Sequence, residues 1–501
     1  MSIYRSLTIE RLTAVILFLL IFAMAVRVPL DTDTWWHLRT GELILETRSV
    51  PQTDTFSHTR AGAPWLDHSW GAQVILTGIY RLFGGSGEIG DSGNVGLALY
   101  TAALATASMA LVYRMCDGTA YLRAFVVVLG AATAAVFWSP RPQMFSFFFG
   151  ALTLYLLYRF KYEDEDRLWA IPPVMILWAN LHGGFAIGFI FLLGMIVGEA
   201  LGAVLDPHDP RATGWAGVRR LAVITVVSAV AVIVNPYGWR ILTVPFDTVG
   251  IGVLQDFIQE WASPDFHRPQ VWPFAALLIG LLAAVGIGDR RLDWSDLVLC
   301  GGTALMALMA GRNIAVFALV ATPVLSRHIH DWLTARGWQV RPLRQVSGAK
   351  LALNWVLLAL VLVGVLAKAA VALNPNTMRE AQREAFPVEL AQHLQSAPPE
   401  GKLFNSYNWG GYLLFAAPDV PVYTDGRTDL YGDTVLRDYL SVAFLREGWD
   451  AILDEQEIVA VAIEADSVLA QMLRERPEQW REQRFDDGRS ALFERVRFAD
   501  E

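Results

Sequence analysis

The chain has 501 residues, of which 54% are hydrophobic and only 18% charged, with 18 Trp and 26 Phe. Soluble domains carry about 25% charged residues, so an ordinary soluble enzyme is excluded. The formal net charge of −9 argues against nucleic acid, which selects basic faces. The two cysteines, Cys116 and Cys300, lie in or beside apolar runs, which excludes a disulfide framework and a cysteine metal site.

Apolar runs long enough to cross a bilayer recur along the chain, the pattern of a polytopic α-helical membrane protein. The first, Leu12–Val26, follows Arg5, Glu10 and Arg11. Ala23-Met24-Ala25 has the form of a signal-peptidase site. Because further spans follow, the expected arrangement is a retained signal-anchor with a cytoplasmic N-terminus. The loop 28–69 then faces outward.

That loop opens with Asp31-Thr-Asp33-Thr-Trp35-Trp36-His37-Leu-Arg39. Trp35, Trp36, Leu38, Leu43, Ile44 and Leu45 recur at near-helical spacing, which predicts an amphipathic helix at the membrane interface. Asp31 or Asp33 would sit at its N-terminus, where the helix dipole favours a carboxylate. Capping needs one acid. A second leaves a carboxylate for activating an acceptor or holding a metal ion. Arg39 suits a phosphate or an interfacial snorkel, with His37 beside it on the same helix. Asp54, His58, Asp67 and His68 form a second polar group at the loop's far end. With the first pair they could make an oxygen and nitrogen metal site, Asp31, Asp33 and His68 being the ligands if a divalent ion is held. The alternative is a solvated loop.

A second span is expected from Trp70 to Arg81. Apolar stretches follow at 95–113, 123–138, 144–158, 168–179, 184–205, 221–234, 271–287, 294–309, 314–325 and 351–373, giving about eleven to thirteen spans. Asp289-Arg290-Arg291 and the segment carrying Arg336, Arg341, Arg344 and Lys350 read as cytoplasmic. The last span then exits outward, on the side of the first loop. A transmembrane domain is therefore expected over 1–373 and an extracytoplasmic α/β domain over 374–501. In the latter, strands are expected at 403–404, 420–423, 458–463 and 490–496, and helices at 387–394, 435–445 and 467–476.

Several polar residues interrupt the apolar runs. Arg141 lies between Pro140 and Pro142 in a tight connection, as a phosphate ligand or a turn marker. Asn180 and His182 precede Gly183-Gly184, and polar groups at lipid depth line a cavity or bond between helices. Asn235-Pro-Tyr-Gly is a turn. Glu260 is a candidate second carboxylate. Arg312 splits two apolar runs and keeps its charge, which fits a phosphate partner or a helix-end snorkel. Asp425 and Arg427 lie in a dense polar loop, for acceptor contact or for docking onto the membrane domain.

A signal-anchor, an outer first loop opening on an acid pair, and a loop closing in Pro64-Trp65 to His68 resemble the GT-C superfamily of membrane glycosyltransferases. In layout the chain is similar to protein O-mannosyltransferases and the lipid A aminoarabinose transferase. Arg141-Pro-Gln, Trp178-Ala-Asn-Leu-His-Gly-Gly, Asn235-Pro-Tyr-Gly and Asp425-Gly-Arg look like an uncharacterised bacterial GT-C-like branch. The resemblance implies that Asp33, assisted by Asp31, is catalytic or metal-holding, although many relatives have adjacent acids where Thr34 stands here. It also implies a sugar donor linked to polyprenyl phosphate and reaction on the extracytoplasmic side.

The function expected is therefore sugar transfer from that donor to a glycan, lipid or protein acceptor, in a prokaryotic plasma membrane. His37, Arg39, Asp67, His68, Arg141, Asn180, His182, Glu260, Arg312, Asp425 and Arg427 are the candidate substrate contacts. A transporter or flippase of a lipid-linked or anionic substrate, and a non-catalytic assembly component, are the alternatives.

Overall fold

The computed structural model describes residues 7–253, 258, 260–338 and 348–496. Arg5, Asp256, Arg341 and Arg344 lie outside the described residues. The chain divides into two compact units, residues 1–27, 98–242 and 258–372 in one, and 28–97, 243–257 and 373–501 in the other. The first loop thus groups with the C-terminal domain rather than with the helices of 1–373.

The first unit is helical: α1 Ile9–Ala25, α4 Gly93–Met115 (from residue 98), α5 Ala120–Ala134, α6 Gln143–Tyr162, α7 Ile171–Leu181, α8 Ala186–Leu205, α9 Gly214–Ala231, α11 Trp272–Ile287, α12 Trp294–Met309, α13 Ile314–Ala335 and α14 Ala349–Ala372. Among the described residues, six helices are long and apolar enough to cross a bilayer: Gly93–Met115, Ala120–Phe137, Gly183–Leu205, Gly214–Ala231, Pro269–Ile287 and Ala349–Ala372. Lipid offers backbone groups no partners, so each helix must satisfy its own. The ends are closed by side chains: Thr8 accepts from the Arg11 amide, Thr119 from Leu122, and Asp293 from Asp296.

Two features fix the layout of this unit. Asn354 Nδ2 donates to the Leu7 carbonyl (3.1 Å), while Lys368 Nζ donates to the carbonyls of Ala23 and Val26. Helices α1 and α14 are therefore parallel, and their C-terminal ends lie together. Elsewhere Lys161 pairs with Glu199 and Asp293, and Arg327 pairs with Asp296 (2.8 Å) and stacks over Tyr162 at 4.0 Å. Burying these charges is tolerable only because each meets an opposite one. Arg290 pairs with Asp331, which brings the short basic turn to the end of α13.

The second unit begins with α2 (Asp33–Thr47) and α3 (Trp70–Leu82), adds α10 (Val244–Val249), and is completed by the C-terminal elements. These are α15 Pro375–Ala385, α16 Val388–Ser396, β1 Lys402–Asn405, α17 Tyr407–Ala416, α18 Thr428–Ala443, α19 Trp449–Glu455, β2 Ile458–Glu464, α20 Val468–Arg474, β3 Trp480–Arg484 and β4 Ser490–Arg495. The sheet order is β1-β2-β4-β3, with β1 parallel to β2 and the other pairs antiparallel. Leu403, Phe404, Val461 and Phe493 have no exposed surface and form its core.

Three expectations are corrected in this unit. The indoles of helix α2, expected to face a membrane interface, are covered by protein instead: Trp35 and Trp36 are 1% and 7% exposed. Trp35 meets Phe386, Tyr412 and Phe415 at ring distances of 5.2–5.4 Å, because two indoles bury more area against protein than headgroups offer. The expected second span is α3, whose 13 residues cover only about 20 Å and pack on α2. The expected strand 420–423 is a single bridge, Ser57 to Val422, where the Val422 amide donates to the Phe56 carbonyl (3.2 Å) and His58 N to the Val422 carbonyl (3.1 Å).

Candidate functional site

Each unit holds a candidate group. In the second, Asp31 Oδ1 accepts the Asp33 amide at 3.0 Å, so one acid of the pair sets the turn that starts α2. Asp33 is half-buried at the first position of the helix, and its Oδ1 accepts Trp36 Nε1–H at 3.2 Å. Gly426 lies directly against it. A Cβ there would sit 1.8 Å from Asp33 Oδ1, so only glycine leaves the carboxylate its place. The pair is thus divided into a turn-forming acid and an acid held by an indole.

Around it, His37 is buried, with its ring 3.6 Å from that of Trp36 and Nδ1 3.3 Å from Gln73 Nε2. Gln73 Nε2 also donates to Asp67 Oδ1 (2.8 Å). Arg39 faces Glu42 at 3.5 Å, and His68 Nδ1 bonds Ser69 Oγ at 2.9 Å. Burial pushes the Asp67 carboxyl up from 3.8 to about 7, against the opposing pull of the Ser69 amide and Gln73. Its folded form therefore keeps a proton that the unfolded chain has lost. Stability is then expected to fall as pH rises from about 4 to about 7 and to level off above. Asp67→Asn should flatten that limb in thermal unfolding followed against pH.

Asp425 and Arg427, offered as substrate contacts, are corrected by their surroundings. Arg427 has no exposed side-chain surface; it pairs with Asp54 and Asp425, each at 2.6 Å. Its guanidinium lies 4.8 Å from the Trp65 ring and 5.1 Å from Phe56, and Tyr431 Oη donates to Asp425 (2.6 Å). Every acceptor is used inside the protein, so this group ties the first loop to the C-terminal domain. His58 Nε2 meets the Leu403 carbonyl at 2.9 Å, and Thr59 Oγ1 donates to Tyr423 O at 2.7 Å. With Asp54 and His58 so engaged, no three His, Cys, Asp or Glu side chains converge among the described residues. Asp31, Asp33 and His68 therefore do not offer a metal cage.

In the first unit, Asn180 and His182 serve the helix break. Asn180 Nδ2 donates to the carbonyls of Ile176 (2.9 Å) and Val234 (2.7 Å). Asn235 Nδ2 donates to Ala179 O (3.0 Å) and Asn180 Oδ1 (3.3 Å). His182 Nδ1 accepts the Gly184 amide (3.1 Å) and lies 2.7 Å from Ser146 Oγ. A Cβ on Gly184 would meet that oxygen at 2.4 Å. These groups satisfy main-chain ends of α7 and α9, the inter-helix alternative of the two considered.

Arg141, Glu260 and Arg312 do come together. Ser139-Pro-Arg141-Pro cannot continue α5, and Tyr100 Oη and Gln143 Nε2 pin the connection through Arg141 O (3.1 Å) and Phe137 O (2.8 Å). Across from it, the Gly311 and Arg312 amides donate to Ala262 O and Glu260 O, both at 3.0 Å. Arg141 Nη1 meets Glu260 Oε1 at 3.1 Å, and this cation holds the Glu260 carboxyl below its ordinary range. The Arg312 guanidinium stacks 4.3 Å over Trp261 and has no hydrogen-bond acceptor for its side chain among the described residues. It lines a cavity of about 530 Å³ with Glu260, Gln143, Val136, Phe137 and Ile314. The place is at the end of α5 and the starts of α11 and α13. Sequence reading missed Trp261 as the platform for Arg312, though the two aromatic and basic positions each stood at a run's edge.

No family model matches the chain, and no curated protein matches its sequence. Solved structures do. The apo oligosaccharyltransferase of Archaeoglobus fulgidus superposes with TM-score 0.57 at 13% identity, over 93% of this chain and 70% of that one. The oligosaccharyltransferase AglB of the same organism, in complex with an inhibitory peptide and a dolichol-phosphate, gives 0.58 at 11%, over 98% and 75%. The arabinofuranosyltransferase AftD from Mycobacteria gives 0.53 at 14%, over 99% of this chain but only 40% of that one. At such identities the likeness speaks for the fold. This chain is a polytopic helical membrane protein with a GT-C-like fold and a small C-terminal sheet domain.

Proposed function

We propose that the protein is an integral-membrane glycosyltransferase that moves a sugar from a polyprenyl-phosphate-linked donor to an extracytoplasmic glycan, lipid or protein acceptor. The observation that carries this reading is Arg312, a charged guanidinium on a cavity wall, propped on Trp261 and given no side-chain acceptor by the described residues. A planar five-donor cation so placed suits a phosphate oxygen pair, and the apolar wall residues suit a prenyl chain. The folds alike to it include one solved with a dolichol-phosphate.

In this reading the acceptor hydroxyl attacks the sugar's anomeric carbon while the bond from that carbon to the phosphate oxygen breaks. The departing phosphate takes the electron pair and is neutralised by Arg312. A carboxylate must take the hydroxyl proton, and the second unit's candidate for that base is Asp33, which Trp36 and Gly426 hold in place and whose turn Asp31 sets. The parallel exit of α1 and α14 supports an outer location for the first loop and the C-terminal domain, with the Arg290 and Arg336 segments cytoplasmic. Purified full-length protein should bind a prenyl phosphate probe, and Arg312→Ala should weaken that binding at least about tenfold. Equal binding by the variant would remove the reading's main support.

A further inference from the structure

The charges around the Arg312 cavity carry an inference that rests on the donor reading and sharpens it. Glu260 and Asp265 bring two carboxylates to the wall, and Arg268 and Arg312 bring two guanidinium groups. Arg268 lies 3.5 Å from Asp265, and Arg141, beside the cavity, lies 3.1 Å from Glu260. Two of three cations are thus matched by carboxylates. Arg312 has no carboxylate within ion-pair distance among the described residues and rests on the face of Trp261; Glu260 attracts it from further off and Arg141 repels it. Among the described residues the set is left with a single positive charge to offer.

We propose that Glu260 sets the charge capacity of this cavity, so that it accepts a singly charged prenyl phosphodiester sugar and rejects the doubly charged prenyl pyrophosphate sugar. A pyrophosphate brings a second negative charge towards Glu260, whose carboxylate is half exposed at the wall. At such distances like charges repel strongly even where water reaches them. Glu260 also spends the charge of Arg141, which would otherwise serve the second phosphate. The residue is therefore a specificity determinant rather than a ligand.

The test uses full-length protein in nanodiscs of uncharged lipid, with a prenyl phosphoryl hexose and a prenyl pyrophosphoryl hexose as probes. The native chain should prefer the monophosphate by at least about tenfold. Glu260→Gln adds one net positive charge and should move the affinity ratio about tenfold towards the pyrophosphate. Arg141→Gln subtracts one and should move the ratio the other way, which keeps the test open if the first variant is unstable. The double variant Arg141→Gln with Glu260→Gln restores the count and should return the ratio to near its native value. A native preference for pyrophosphate, or a ratio that none of these changes moves in the stated direction, overturns the proposal while leaving the donor reading intact. Failure of the native chain to bind either probe overturns the donor reading itself.

Discussion

Replacing Arg427 with leucine is expected to destabilise the C-terminal unit by about 3–5 kcal/mol. The side chain is fully buried between Asp54 and Asp425, and removing it leaves two carboxylates with no cation in a dry interior. That is the expensive way to break a buried ion set, since the desolvation cost stays and the attraction goes. The same change strips the cation from the faces of Phe56 and Trp65, so the first loop loses its strongest tie to residues 420–431. Arg427→Lys should recover only part of the loss, because an ammonium cannot reproduce the forked contacts with two carboxylates. Thermal unfolding would give the magnitude, and limited proteolysis should show new cleavage within residues 48–69.

Asp33→Asn should lower turnover on the order of a hundred- to ten-thousand-fold, the span of a lost general base, while donor affinity stays near native. The amide keeps the shape and an acceptor oxygen for Trp36 Nε1 but takes no proton. Asp31→Asn should do much less, because its Oδ1 contact to the Asp33 amide survives in an asparagine. Gly426 separates the chemistry of Asp33 from its placement. A methyl group at Gly426 would fall 1.8 Å from Asp33 Oδ1, so Gly426→Ala should also reduce turnover by moving a carboxylate it does not alter chemically.

The membrane part was legible because lipid imposes one rule, long apolar helices, and composition displays it. Helices such as Gly183–Leu205 and Ala349–Ala372 announce themselves. Helix α3 misled because its apolar run is only 13 residues long and packs on α2; hydropathy reports burial, not what does the burying. Strand β3, Trp480–Arg484, escaped notice because four of its five residues are polar or charged, the ordinary dress of a sheet edge. The buried set of Lys161, Glu199, Asp293, Asp296 and Arg327 left one signal, a lone Glu199 inside an otherwise apolar run, whose partners lie 38 and 96 residues away in Lys161 and Ser295.

The candidate site divides along the same line. Asp31 and Asp33 were visible as a local cluster, and their separate roles follow from i to i+2 and i to i+3 contacts that sequence spacing allows. Glu260 and Arg141, 119 residues apart, could be named singly but not paired, because nothing local couples them. Asp425 and Arg427 looked functional for the reason that any buried ion pair does: polar residues dense in a loop signal either a ligand or a partner, and here the partner was Asp54.

Donor consumption by full-length protein in proteoliposomes is the measurement that bears most directly on the account. A prenyl phosphoryl sugar labelled in the sugar should lose its label to an acceptor and leave free prenyl phosphate, at a rate that Asp33→Asn abolishes without displacing the donor. Labelled donor crossing the bilayer intact, with no prenyl phosphate released, or native turnover in Asp33→Asn, would contradict it.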